Sequence, residues 1–283
     1  MKEFKVSERR ACRVIGQPRA TQRYVLAEVD DFERRLTARI LELKNMEKYR
    51  RTGCRKIAQK LNNEGWRVNR KRVHRVWKEL GLQVPRQQKK RRRGDGSSFK
   101  NACDRLKPEF PNHIWSYDFK HDVTERGQLV KFLVVIDEFT RRCLEIRVAK
   151  SCKARDVVDT LGKLFVREGL PAYIRSDNGP EFVAREVSGF LKHLPTKTAF
   201  IEPGSPWQNG YCESFVGQLS SEFTDGTIFR HLLEAKVLAE DYCTFYNSER
   251  LHGALDYRTP DQYHQAWVQE NSNDRESLAK TGS

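Results

Sequence analysis

Residues 172–182, AYIRSDNGPEF, run from a short β-rich segment into an acid, a turn and a new helix. Ala172–Arg175 has the composition of a strand, Asp177-Asn178-Gly179 of its end, and Phe182–His193 of the following helix. A strand that hands an acid to a turn before a helix belongs to open α/β sheets, whose sites lie outside the carboxyl ends of the strands. Upstream, Val157, Leu161, Leu164 and Phe165 mark a helix. Before it come three strand segments, Trp115–Phe119, Leu129–Asp137 (LVKFLVVID) and Cys143–Val148, whose short connections predict an antiparallel meander. Downstream, Lys197–Ile201 reads as a fifth strand, Gly204–Gly210 as a loop, and Tyr211, Phe215 and Leu219 as one face of a helix. The order βββαβαβα predicts an α/β fold with one mixed five-stranded sheet and flanking helices. From His231 on the pattern is helical and polar, with Asn271–Ser283 expected to fray.

The first hundred residues are of another kind. Phe32, Leu36, Ile40 and Leu43 recur at helical spacing, Ile57, Ala58 and Leu61 begin a second helix, and Asn69 caps a third that carries Val73, Val76, Trp77 and Leu80. The third shows Arg70, Lys71, Arg72, Arg75 and Lys78 away from its apolar stripe. This fits a helix-turn-helix with its last helix in a major groove, and equally a plain three-helix bundle with a solvated basic face. Pro85–Ser98 has no apolar periodicity, contains Lys89, Lys90, Arg91, Arg92 and Arg93 in a row, and reads as a linker able to lie along phosphates.

Charge follows the same division. The 283-residue chain has 53 Lys and Arg against 38 Asp and Glu; residues 1–100 hold 30 and 11 of these, and the remainder 23 and 27. Lys and Arg on phosphates release condensed counterions, so an excess confined to one segment points to a polyanion partner, whereas charge kept for solubility would be spread. Seven Cys without a Cys-x-x-Cys pair are expected to be reduced thiols, and exclude a disulfide scaffold. No apolar run approaches the roughly 18 residues of a membrane span, and Met1–Arg10 is too charged for a signal peptide, so a soluble, cytoplasmic protein is expected.

Three acids stand out. Asp118 lies inside an apolar strand segment, where a carboxylate is costly without a cation or hydrogen bonds. Asp177 follows the fourth strand, and Glu213 lies opposite Tyr211, Phe215 and Leu219 on its helix. Taken singly, Asp177 is also a good turn residue and Glu213 a good partner for a helix N-terminus. Fifty-eight residues separate the first two, and 35 the last two.

That spacing, with WSYDF at 115–119, VVIDEFTR at 134–141, IRSDNGPEF at 174–182 and SPWQNGYCESF at 205–215, resembles the retroviral-integrase superfamily. Within it the chain is similar to the transposases encoded by the second reading frame of bacterial copy-out/paste-in insertion sequences. ERRACRVIGQPRATQRY at 8–24 and Tyr246-Asn247, Arg250, His252, Leu255, Tyr257 and Thr259-Pro260 extend the likeness to both ends. It favours the helix-turn-helix reading. The chain departs from the family pattern at Gln218 and Ser220, where basic residues are usual, and at Leu251 and Asp256, where Pro and Gly are usual.

The resemblance implies a ribonuclease-H-like integrase catalytic core at 109–225. Around it stand a helical segment at 1–28, a helix-turn-helix domain at 29–84, a basic linker at 85–108 and a C-terminal helical extension at 226–283. It implies two Mg2+ ions, replaceable by Mn2+, with Asp118 bridging both and Asp177 and Glu213 holding one each. Asn178 and Asn209 become expected contacts to the metal-bound strand end, and Trp207 to the DNA. The expected partners are duplex DNA, as terminal inverted repeats and target, further copies of the chain in a synaptic complex, and a first-frame protein as partner or fusion. The expected place is the bacterial nucleoid. A structure-specific nuclease on the same fold and a catalytically weakened DNA-binding regulator are the alternatives.

Overall fold

The computed structural model describes residues 6–24, 30–83, 106–176, 185–200 and 209–281. It divides into two compact units, Met1–Asn45 and Met46–Ser283. In the first, Ser7 caps α1 (Glu8–Val14), and the Glu8 carboxylate accepts hydrogen bonds from Arg19 of α2 (Arg19–Gln22) and from Arg23. Leu36, Ile40 and Leu43 form the buried stripe of α3 (Asp31–Asn45).

The second unit opens with a helix pair, α4 (Cys54–Asn63) and α5 (Arg70–Glu79), which bury Ile57, Ala58 and Leu61 and Val73, Val76 and Trp77. The turn between them is built from side chains. Asn62 donates to the Ala58 and Val68 carbonyls and accepts from the Val68 N–H, Gly65 takes φ +90°, and Asn69 Oδ1 accepts from the Arg72 N–H at 2.8 Å. These bonds satisfy the end of one helix and the start of the next.

The sheet follows, with β1 (Ile114–Val123), β2 (Leu129–Asp137), β3 (Cys143–Ala149), β4 (Tyr173–Ser176) and β5 (Lys197–Phe200) in the order β3-β2-β1-β4-β5. β1–β2 and β2–β3 pair antiparallel, β1–β4 and β4–β5 parallel, which is the mixed sheet expected from the element order. β1 outruns the segment 115–119. Its polar half, Lys120–Val123, pairs with Leu129–Phe132 in a hairpin closed by the Thr124 N–H on the Gln128 carbonyl. Ladder hydrogen bonds hold such residues extended whatever their polarity.

One face of the sheet buries Trp115, Tyr117, Leu133, Val135 and Ile174 against α6 (Ala154–Glu168) and α7 (Arg185–Lys192). The other buries Val130, Phe132, Val134, Ile136 and Val148 against α8 (Gly210–Leu219) and α9 (Leu232–Ser248), with a π-helical turn at Ser220–Thr224 between those helices. The last helix, α10 (Pro260–Thr281), runs through most of the segment expected to fray. Asn271 and Ser272 donate to the carbonyls of Trp267 and Val268, four residues back, so their polar groups satisfy themselves on the helix.

Candidate active site and DNA-binding surface

Alternation along β1 sets Ser116, Asp118 and Lys120 on one face, the one opposite Trp115 and Tyr117. Asp118 pairs with Val134 in the ladder and is half-buried, and its Oδ1 accepts from the Phe119 N–H at 2.7 Å. α8 lies against β1 and β2 on this same face. Cys212, Phe215 and Leu219 are its buried stripe, which leaves Glu213 exposed in the first turn. Tyr211, just before, lies under the Arg141 guanidinium, 3.6 Å from its ring centroid. The N-cap Asn209 is only 2% exposed, and its Oδ1 has no hydrogen-bond partner among the described residues. Gln218 and Ser220 are half-buried.

Asp177, Asn178 and Trp207 lie outside the described residues, as do Lys89, Lys90, Arg91, Arg92 and Arg93. Up to that limit the ladder is informative. β1 and β4 pair Ile114 with Tyr173, Trp115 with Ile174 and Ser116 with Arg175. Ser116 and Arg175 therefore form a cross-strand row one repeat below Asp118, on its face of the sheet. Among the described residues no three His, Cys, Asp or Glu side chains gather in a metal-binding group.

Beneath Asp118 is a group the sequence reading passed over. Arg175 and Glu138 form an ion pair at 2.7 Å, with side chains 4% and 0% exposed. Arg175 Nη1 reaches both carboxylate oxygens, its Nη2 donates to the Leu106 carbonyl at 2.9 Å, and the Ser116 hydroxyl donates to Glu138 Oε1. The available signal was an Arg inside a strand too short to expose it.

A second network explains part of the C-terminal signature. Asn247 brackets Cys143, accepting from its N–H at 2.8 Å and donating to its carbonyl at 2.7 Å, which ties α9 to β3. Arg250 grips Glu222 of the π-helical turn through two bonds of 2.6 Å, and Lys56 of α4 approaches the same carboxylate at 3.8 Å. Burial, with Arg250 adding to it and Glu222 opposing, pushes the Lys56 ammonium down to about 8. Nη1 of Arg250 sits 3.1 Å from His252 Nε2. A guanidinium only donates, so that nitrogen accepts and the ring is neutral.

Burial first, then Arg250 and Lys56, push His252 down to about 2. Its neutral form is what the fold accommodates. The resulting stability is complete above the unfolded value of about 6.5 and is lost as pH falls from there toward 2, at up to about 1.4 kcal/mol per pH unit. Urea unfolding between pH 7 and 5 should therefore show a drop that shrinks by about one proton's worth in His252→Asn. Equal slopes in the two proteins would remove His252 as its source.

On α5, Arg70, Lys71, His74, Arg75 and Lys78 are exposed and Arg72 is half-buried. Arg75 lies 3.8 Å from Glu79, one turn on. The helix thus offers a basic outer face above an apolar inner one, as a groove-reading helix requires. Among the described residues no helix is long and apolar enough to cross a membrane.

Comparison with known proteins agrees with this arrangement. Two models of the integrase core domain match residues 108–206 and 195–260, and a model of an HTH-like domain matches 31–91. A 31.7 kDa protein of insertion element IS407 from Burkholderia multivorans is 34% identical over 258 residues, 91% of this chain and 90% of that one. The transposase of insertion sequence element IS904 from Lactococcus lactis is 27% identical over 75% of this chain and 87% of its own. Among solved structures, the catalytic core domain of HTLV-2 integrase in complex with magnesium matches 56% of this chain and 99% of its own, at 19% identity and a TM-score of 0.45. The helix-turn-helix, the integrase core and the relatives' shared length lead to one assignment: the chain belongs to the DNA transposases of bacterial insertion sequences that are built on an integrase core.

Proposed function

We propose that the chain cleaves the ends of its element and joins the freed 3′-OH to a second phosphodiester, at a site formed by Asp118, Asp177 and Glu213. The supporting observation is the β1–β4 register: Ser116 pairs with Arg175 one strand repeat below Asp118, and in the sequence Asp177 comes two residues after Arg175. α8, in whose first turn Glu213 is exposed, packs against β1 and β2 on the Asp118 face. The donor set suits divalent cations, because all three groups are carboxylates, hard oxygen ligands, on facing elements. The positive group one row below is already neutralised by Glu138. Mg2+ bound there, or Mn2+ in its place, would supply Lewis acidity toward the attacking and leaving oxygens of an in-line displacement. The chain's part is to fix the carboxylates on a rigid sheet edge, and to hold the DNA through α5 and the basic run Lys89–Arg93. Asn178 and Asn209 would contact the strand end, and Trp207 the DNA.

The deciding experiment supplies a labelled duplex carrying the element's own terminal repeat, with Mg2+ and a target plasmid. Nicking at the end followed by joining is expected. Cleavage without joining would instead indicate a structure-specific nuclease, and binding alone a regulator, as the Gln218 and Ser220 departures would suit.

The DNA contacts divide by role. Lys71→Ala with Arg75→Ala should cost on the order of 1–3 kcal/mol on the cognate end and little on random duplex, since groove contacts read bases. Neutralising Lys89–Arg93 should weaken both duplexes alike and flatten the salt dependence of binding. Identical effects of the two changes on cognate and random DNA would rule out a groove-reading α5.

A further inference from the structure

We infer that Glu138 is a positioning and charge-neutralising residue for the metal site: it cancels the buried Arg175 charge that would otherwise repel cations from Asp118. This inference rests on the three-carboxylate reading above. Its geometry stands on the described fold alone. Arg175 and Ser116 are ladder partners on the Asp118 face, and two residues of strand separate that row from Asp118, roughly 7 Å. Arg175 cannot give up its proton, so its charge is permanent. Glu138 is the only carboxylate paired with it among the described residues, and it follows β2 directly, its N–H held by the Ile114 carbonyl at 3.0 Å.

A buried ion pair is not explained by stability, because replacing one with apolar side chains of similar volume is often neutral or better. Its place explains it better. Removing the Arg175 charge would free the Leu106 carbonyl that its Nη2 holds, would strand Glu138, which accepts from the Ser116 hydroxyl, and would loosen the row that pairs β1 with β4. Keeping that charge without Glu138 would leave an uncompensated cation on the row next to Asp118, which must help gather divalent ions. At an effective dielectric near 20 that repulsion is far from negligible. The pair gives the row a rigid bidentate link without a net field at the site.

The test measures Mg2+ alone against the free protein, by the rise of melting temperature with Mg2+ concentration, and repeats the titration as nicking of end DNA. Wild type should show a saturable rise that Asp118→Asn abolishes; no rise in wild type would bring down the metal-site reading, and this inference with it. Given that rise, Glu138→Gln should move the Mg2+ midpoint upward by roughly tenfold or more in both readouts. The double variant Glu138→Gln with Arg175→Gln, which carries no net charge there, should return to within about threefold of wild type even though it is less stable. A pair serving the fold alone would behave differently: both variants would lose stability with the midpoint unmoved, or the double variant would be as displaced as the single one. Either result overturns the inference while leaving the metal-site reading intact. Should Glu138→Gln fail to fold, Glu138→Asp carries the same test, since its shorter carboxylate leaves the guanidinium partly uncompensated. A midpoint unchanged in Glu138→Asp and in the double variant would overturn the inference in that case.

Discussion

Asp118→Asn is expected to reduce Mg2+-dependent nicking of end DNA by on the order of a thousandfold or more, about 4 kcal/mol of transition-state stabilisation, with duplex binding and thermal stability nearly unchanged. The separation of effects follows from the position. Asp118 is half-buried in a ladder pair with Val134, and the Phe119 N–H that it accepts can be accepted equally by an amide oxygen. Asparagine keeps the shape and that bond while losing the charge that would hold cations. The basic groups assigned to DNA lie on α5 and in the run Lys89–Arg93, far along the chain, so retention of the duplex in a mobility shift should survive. Nicking at the wild-type rate would disprove the assignment and turn attention to Asp122, which lies on the same face of β1 two repeats on.

Arg250→Ala is expected to destabilise the chain by about 3 kcal/mol in urea unfolding, because breaking a buried pair strands the partner charge. The side chains of Arg250 and Glu222 are 7% and 19% exposed, and the guanidinium holds both carboxylate oxygens at 2.6 Å. Lys56, at 3.8 Å, compensates only in part. Arg250→Lys should recover little, since an ammonium cannot make the planar two-point contact. Adding Glu222→Gln to Arg250→Ala should restore part of the loss, because the stranded charge is then gone. A loss of less than about 0.5 kcal/mol in Arg250→Ala would mean that the network is solvated and contributes nothing. Glu222 lies in the turn that ends α8, so activity should fall with stability if this anchor also steadies the helix bearing Glu213.

Much of the fold was legible because its elements announce themselves locally. Val157, Leu161 and Leu164 repeat at helical spacing and are all buried on α6; LVKFLVVID is β2 from Leu129 to Asp137. Asn69 caps α5 as its position before an apolar-periodic run requires. The second half of β1 was not legible, since Lys120–Val123 is polar and becomes a strand only by pairing with β2. The helical course of α10 past Asn271 was missed for a related reason: its polar residues look like a tail until they bond to their own helix.

For the site, the amino-acid sequence by itself determined the residue types, their spacing and the basic character of the first hundred residues. Those are properties of the chain, and they suffice to nominate the carboxylates and the segments expected to meet phosphate. Tertiary structure alone decided which side chains share a face and which charges are cancelled. Glu138 and Arg175 are 37 residues apart, and Glu222 and Arg250 are 28 apart. Nothing local links either pair, since neither lies at a helical or strand repeat. They meet because the β1–β4 ladder and the packing of α8 and α9 on the sheet bring their backbones together, and because charges so deeply buried must find a partner.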